Sequence, residues 1–104
     1  LERFTERAIA IIKEIPPGKV MTYGQVAHFA GSPRAARQVV RILHSMSKKF
    51  QLPWHRVVNS KGEIGLKEEG QFIQKMSLES EGVKFKGDLI NLEVYQHWPE
   101  IDLE

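Results

Sequence analysis

Residues 22–48 read TYGQVAHFAGSPRAARQVVRILHSMSK. Thr22 followed three residues later by Gln25 is a capping box, in which each side chain takes an orphan backbone N–H of the other, so a short helix is predicted over 23–30. Gly31 supplies the C-terminal stop. Ser32-Pro33 reads as a second start, with Ser as N-cap and Pro at the first helical position, and predicts a helix over 33–47. Two helices joined by a tight glycine-containing turn make a helix-turn-helix. At 100° per residue, Arg34, Arg37, Arg41, His44 and Lys48 fall within an arc of about 80°, and Val39, Ile42, Leu43 and Met46 point the other way. The basic face thus belongs to the second helix, the one such motifs place against DNA.

Upstream, residues 3–15 (RFTERAIAIIKEI) place Phe4, Ala8, Ile11, Ile12 and Ile15 at helical spacing, and Pro16-Pro17-Gly18 ends that helix. Downstream, Arg56-Val57-Val58 and Glu63-Ile64-Gly65 flank Asn59-Ser60-Lys61-Gly62, which predicts a β-hairpin, the wing that follows a helix-turn-helix. A last helix is predicted over 69–81, with Phe72, Ile73 and Met76 inward and Gly82 as its cap. In the tail 83–104, Val83, Phe85, Leu89, Ile90, Leu92, Val94, Tyr95 and Trp98 are expected to cover the core. The fold class is mainly α with a small β wing, a winged helix-turn-helix DNA-binding domain, and the 104 residues are expected to form one domain over 1–104.

The charge distribution agrees. Ile15 to Gly62 contains no Asp or Glu and carries +8, so with a net charge of +2 the remainder carries −6. A basic middle between acidic ends is the electrostatic footprint of a polyanionic partner. No apolar run approaches the ~18 residues of a membrane span. No signal peptide is visible, and the expected location is cytoplasmic, on the nucleoid through DNA. The four histidines (28, 44, 55 and 97) show no ligand spacing, so neither metal nor other cofactor is expected. There is no cysteine, which removes disulfides, thiolate metal sites and any thiol nucleophile.

Pro53-Trp54-His55-Arg56-Val57 then gives a sharper reading. It resembles the Pro-Cys-His-Arg-Val signature of the DNA-binding domain of O6-alkylguanine-DNA alkyltransferases, with Trp54 where the alkyl-accepting cysteine stands. Gly18-Lys19-Val20-Met21-Thr22-Tyr23-Gly24-Gln25-Val26-Ala27 is similar to the family's tyrosine-bearing helix. Gly31-Ser32-Pro33-Arg34-Ala35-Ala36-Arg37-Gln38-Val39 is similar to its recognition helix, and Glu81-Gly82 falls where the family keeps a glutamate before a glycine. The Trp-for-Cys exchange points to the alkyltransferase-like subgroup, which binds O6-alkylguanine without repairing it and hands it to nucleotide excision repair. The partners implied are double-stranded DNA containing O6-alkylguanine and nucleotide excision repair proteins, and the implied state is a monomer.

The chemistry of the residues is consistent with a non-enzymatic role. Alkyl transfer needs a thiolate activated by a neighbouring histidine, and the indole N–H is a donor without a usable lone pair. His55 and Glu81 orient each other in active members; here the expectation is a structural hydrogen-bonded pair. A base in duplex DNA must be flipped to be inspected, at a cost of roughly a few kcal/mol. The resemblance gives Tyr23 the role of pressing on the phosphate beside the lesion. It gives Arg37 that of filling the vacated stack, for which a planar guanidinium is suited. Arg34, Arg41, Ser60 and Lys61 are expected to contact the backbone. Ala35 and Ala36 keep the entering end of the helix small, because the family docks it in a minor groove only ~6 Å wide. Trp54, Val57, Val58 and Lys67 are expected to complete the lesion pocket with Tyr23. Lys67 matches a subgroup arginine and keeps its charge without the planar fork. The alternatives are a winged-helix regulator of undamaged operator DNA and a hydrolase using His55 and a water.

Overall fold

The computed structural model describes residues 1–64 and 68–100. Helix α1 (Arg3–Lys13) buries Thr5, Ala8, Ile9 and Ile12, and Ile15 is buried just beyond it. The short strand β1 (Met21–Thr22) runs straight into α2 (Tyr23–Phe29). The capping box at this junction is formed. Thr22 Oγ1 accepts from the Gln25 N–H at 3.0 Å, and Gln25 Oε1 accepts from the Thr22 N–H at 3.2 Å. Gly31, at φ +102°, turns the chain after α2. The Ser32 N–H reaches the Ala27 carbonyl at 2.9 Å and the Gly31 N–H that of His28 at 3.0 Å, the paired bonds of a Schellman end.

The second helix starts later than predicted. Helix α3 spans Ala36–Phe50 rather than 33–47. Ser32 does not cap it with its side chain; its carbonyl accepts the Ala35 N–H at 3.0 Å and closes a separate turn through Pro33 and Arg34. That turn satisfies the donor an N-cap serine would have taken, and α3 begins after Ala35 with no side-chain cap. It ends at Gln51 in the left-handed region, φ 53°.

The predicted hairpin at 56–65 is a turn with redirected strands. The Asn59–Glu63 turn is closed by Asn59 Oδ1, which accepts from the Lys61 and Glu63 N–H groups at 3.0 and 2.9 Å. Strand β2 (Val57–Val58), however, pairs in parallel with β1, Met21 opposite Val57 and Thr22 opposite Val58. Glu63 instead bridges antiparallel to Leu89. Val57 and Val58 are both fully buried, one on each face of the strand. A strand buried on both faces fits an interior parallel pair, whereas a solvated wing would expose alternate residues. An antiparallel hairpin does form further on, between β3 (Phe85–Lys86) and β4 (Leu89–Ile90). Gly62 ties the turn to that hairpin. Its carbonyl accepts the Ile90 N–H at 2.9 Å, its φ is +80°, and a Cβ there would stand 2.4 Å from the Ile90 oxygen.

Helix α4 (Glu68–Ser80) is also rotated from expectation. Phe72, Ile73 and Met76 point outward, and Gln74 and Leu78 are buried. The carbonyls of His55 and Val57 need a donor, and Gln74 Nε2 supplies one to each at 3.1 Å. An unsatisfied buried carbonyl is costly, so a polar side chain takes the inward place. The remaining chain forms the tail. Asn91 caps α5 (Leu92–Tyr95), and Val20 is gripped on both sides, its N–H by the Tyr95 carbonyl (2.9 Å) and its carbonyl by the His97 N–H (2.7 Å).

Two cores result. The first lies among α1, α2 and α3 with Met21, Leu52 and Val57. The second gathers Val20, Val58, Leu78, Val83 and Ile90. Consecutive residues Val57 and Val58 belong to different cores, so β2 is the seam between them. Among the described residues, no helix is long and apolar enough to cross a membrane.

Candidate base pocket and nucleic-acid interface

A cavity of about 700 Å3 opens beside α3. Its wall on that side is Val40, Leu43, His44, Ser47, Lys48 and Gln51, which recur at i, i+3, i+4, i+7, i+8 and i+11, one stripe of a helix. Tyr23, Leu52, Trp54 and Gln74 line the rest. Such a volume falls in the range of small-molecule pockets, ~300–1,000 Å3. Trp54 opens a 3-10 turn, Trp54–Arg56, that leads into β2. Its indole stands edge-on to the His55 ring, centroids 6.3 Å apart. Tyr23 is half-buried at the first position of α2, and burial raises its phenol above the ordinary value, so it is a neutral donor near pH 7. Two oxygens of lining residues, Ser47 Oγ and Gln74 Oε1, are buried with no hydrogen-bond partner among the described residues.

Below the 3-10 turn lies an ion cluster. His55 Nε2 is 2.8 Å from Glu81 Oε2, and Arg56 Nη2 donates to the same oxygen at 2.7 Å. Arg56 Nη1 also donates to the Ile15 carbonyl at 3.0 Å, and the Gly18 N–H donates to Glu81 Oε1 at 3.0 Å. Burial alone would raise the Glu81 carboxyl. The hydrogen bonds from Arg56, Gly18 and His55 outweigh it and hold the group at about 2. Glu81 is therefore an anion whose oxygens are committed to its neighbours. His55 is likewise held by a fixed partner rather than by a nucleophile, since residue 54 offers none.

The sequence-predicted residues fall into three groups. Tyr23 and Trp54 share the cavity wall. Arg34, Arg37, Arg41, Ser60 and Lys61 are exposed; Arg34 sits in the turn before α3, Arg37 and Arg41 on α3, and Ser60 and Lys61 in the Asn59–Glu63 turn. Ala35 and Ala36 mark the start of α3 and are half-buried. Val57 and Val58 do not line the cavity; both are wholly enclosed in the cores, because pairing with β1 turns them inward. Lys67 lies outside the described residues. The sequence reading missed the α3 wall. Continuing the period of three and four from Val40 to Gln51 would have found it. It also missed Gln74, one of two amides, with Gln71, on a helix judged by its apolar residues. Among the described residues, no group of three or more His, Asp or Glu side chains is placed to hold a metal.

The comparisons with known proteins point the same way. Residues 3–83 match the family described as the DNA-binding domain of 6-O-methylguanine DNA methyltransferase. The chain belongs to that family. Within it, the chain is 45% identical over 96 residues to the DNA base-flipping protein of Escherichia coli K12, covering 91% of this chain and 74% of that one. It is 40% identical over 86 residues to alkyltransferase-like protein 1 of Schizosaccharomyces pombe, covering 81% of this chain and 80% of that one. In three dimensions it superposes on the crystal structure of S. pombe Atl1 in complex with damaged DNA containing O6-carboxymethylguanine. The TM-score is 0.83 at 36% identity, over 95% of this chain and 98% of that one. The chain is thus an alkyltransferase-like member of a methyltransferase family, with the winged helix-turn-helix fold of its DNA-binding domain. Having no cysteine, it has no alkyl acceptor.

Proposed function

We propose that this domain binds duplex DNA containing O6-alkylguanine, receives the flipped base in the cavity beside α3, and holds it without chemical change. The observation that carries the reading is Trp54 in the wall of that cavity, in the signature position of the acceptor. A cysteine there would be consumed by the alkyl group. An indole offers a broad apolar face, and stacking on it contributes roughly 1–3 kcal/mol per base without bond making.

The rest of the surface supports this role. The exposed Arg34, Arg37 and Arg41 surround the entry to the recognition helix, where they would neutralise phosphates and fix register without reading sequence. Arg37 enters the stack in place of the flipped nucleotide, and Tyr23 at the head of α2 pushes on the adjacent phosphate. Glu81, Arg56 and His55 act beneath the pocket as a brace for the 3-10 turn that bears Trp54. The bound complex then marks the lesion for nucleotide excision repair, which supplies the incision this chain has no group to perform.

The test is a paired affinity measurement by fluorescence anisotropy, on duplexes of several sequences with and without one O6-methylguanine. Tighter binding to the modified duplex in every sequence context is expected. Equal binding would favour a regulator of undamaged DNA. Mass analysis of the lesion strand after long incubation with excess protein should show the alkylguanine intact, and its loss would reveal a hydrolase.

A further inference from the structure

The charge lining the cavity is one-sided. His44 and Lys48 both line it, and no acidic residue among the described ones does. Neither is paired with a carboxylate among the described residues, where the ion pairs are His55–Glu81, Arg56–Glu81 and Lys75–Asp88. The whole span from Ile15 to Gly62 holds no acid that could neutralise Lys48. His44 and Lys48 sit one turn apart where the basic face of α3 meets the cavity stripe. They follow Arg37 and Arg41 on one side and border Ser47 and Gln51 on the other. Ser47 Oγ, beside them in the cavity wall, has no hydrogen-bond partner among the described residues.

We propose that Lys48 is a specificity-determining residue, which with His44 makes this pocket favour O6-substituents that carry a negative charge over neutral ones of the same size. The inference rests on the flipped base entering this cavity. With its O6 edge towards α3, the base would extend a short substituent between the Trp54 wall and the last turns of the helix. An anionic end group there meets an ammonium in a space partly closed to water, where a charge-assisted hydrogen bond is stronger than a neutral one. Lys48 is exposed, so solvent screening limits the effect to about three- to tenfold in affinity. A methyl substituent gains nothing from the charge.

The competing role for Lys48 is a phosphate contact, which would act on every duplex alike. Four duplexes of one sequence separate the two: unmodified guanine, O6-methylguanine, O6-carboxymethylguanine and the isosteric neutral O6-carbamoylmethylguanine. The wild-type chain should bind the carboxymethyl duplex about three- to tenfold more tightly than the carbamoylmethyl one. Lys48→Gln should bring that ratio close to one. Equal wild-type affinities for the charged and neutral isosteres would overturn the proposal. So would a Lys48→Gln variant that weakens all four duplexes by one common factor. A failure of O6-methylguanine to bind better than guanine would instead remove the lesion reading itself, and this inference with it.

Discussion

Among the described residues Glu81 is a heavily committed side chain, accepting from Gly18, Arg56 and His55 at once. Its folded value of about 2 lies below the ordinary carboxyl value of 4.5. The stabilisation is therefore complete above about pH 4.5 and is lost as the pH falls towards 2. Urea denaturation across this window should show the loss. Glu81→Gln should flatten that part of the profile and cost about 2–4 kcal/mol at neutral pH, because Arg56 is left partly buried without its anion. Arg37 is the opposite kind of residue, exposed and with no side-chain hydrogen bond or ion pair among the described residues. Arg37→Ala should leave the melting temperature unchanged and weaken binding to the lesion duplex by about 1–3 kcal/mol, the scale of one lost stacking contact. Unchanged affinity in a titration would show that Arg37 does not enter the stack.

At the scale of elements, what was legible in the sequence was whatever is decided locally. The capping box at Thr22 and Gln25 and the stop at Gly31 depend on neighbours a few residues away, and both are formed as the residues dictate. The same holds for Arg37, Arg41, His44 and Lys48 on α3, whose shared face depends only on helical period, while Arg34 of that predicted stripe lies in the turn before the helix. The partner of β2 and the facing of α4 were not legible, because each is settled by distant groups, and the start of α3 was missed because the local Ser32–Ala35 turn replaces the serine cap. β2 pairs with β1, whose Met21 is far away in the chain, and α4 turns Gln74 inward to meet carbonyls of the 3-10 turn. Of the site, Tyr23 and Trp54 were found by motif, while the α3 wall and Gln74 required the packing. The two turn glycines make a graded test. Gly31→Ala should cost about 1–2 kcal/mol, since a side chain at its φ is strained but the Arg7 guanidinium that it approaches can move aside. Gly62→Ala should cost more, since its Cβ would run into the Ile90 carbonyl of the backbone. Thermal melts of the two variants check the order.

For the whole molecule, the modest net charge of +2 conceals a basic middle in which Arg34, Arg37, Arg41, Lys48 and Lys61 are exposed. Affinity should fall linearly in a log–log plot against salt, with a slope of about −0.9 for each phosphate neutralised. Arg41→Gln should reduce that slope by about one and weaken modified and unmodified duplexes alike. A slope that does not change would place Arg41 away from the backbone. The helical core of α1 to α3 also takes in Leu52 and Val57 on either side of the turn that carries Trp54, and α4 on the side of the smaller core fastens that turn through Gln74.

The Gly18 amide joins those halves in a way that can be timed. Its proton is donated across 63 positions of chain to a carboxylate rather than to a carbonyl of its own segment. Gly18 belongs to the loop after α1, whereas Glu81 follows α4, so this proton is released to solvent when the two halves part. In hydrogen exchange it should be far slower than other loop amides and should follow the pH at which Glu81 takes up its proton. A single glycine resonance thus becomes a clock for the parting of the Gly18 loop from the end of α4, readable with and without DNA.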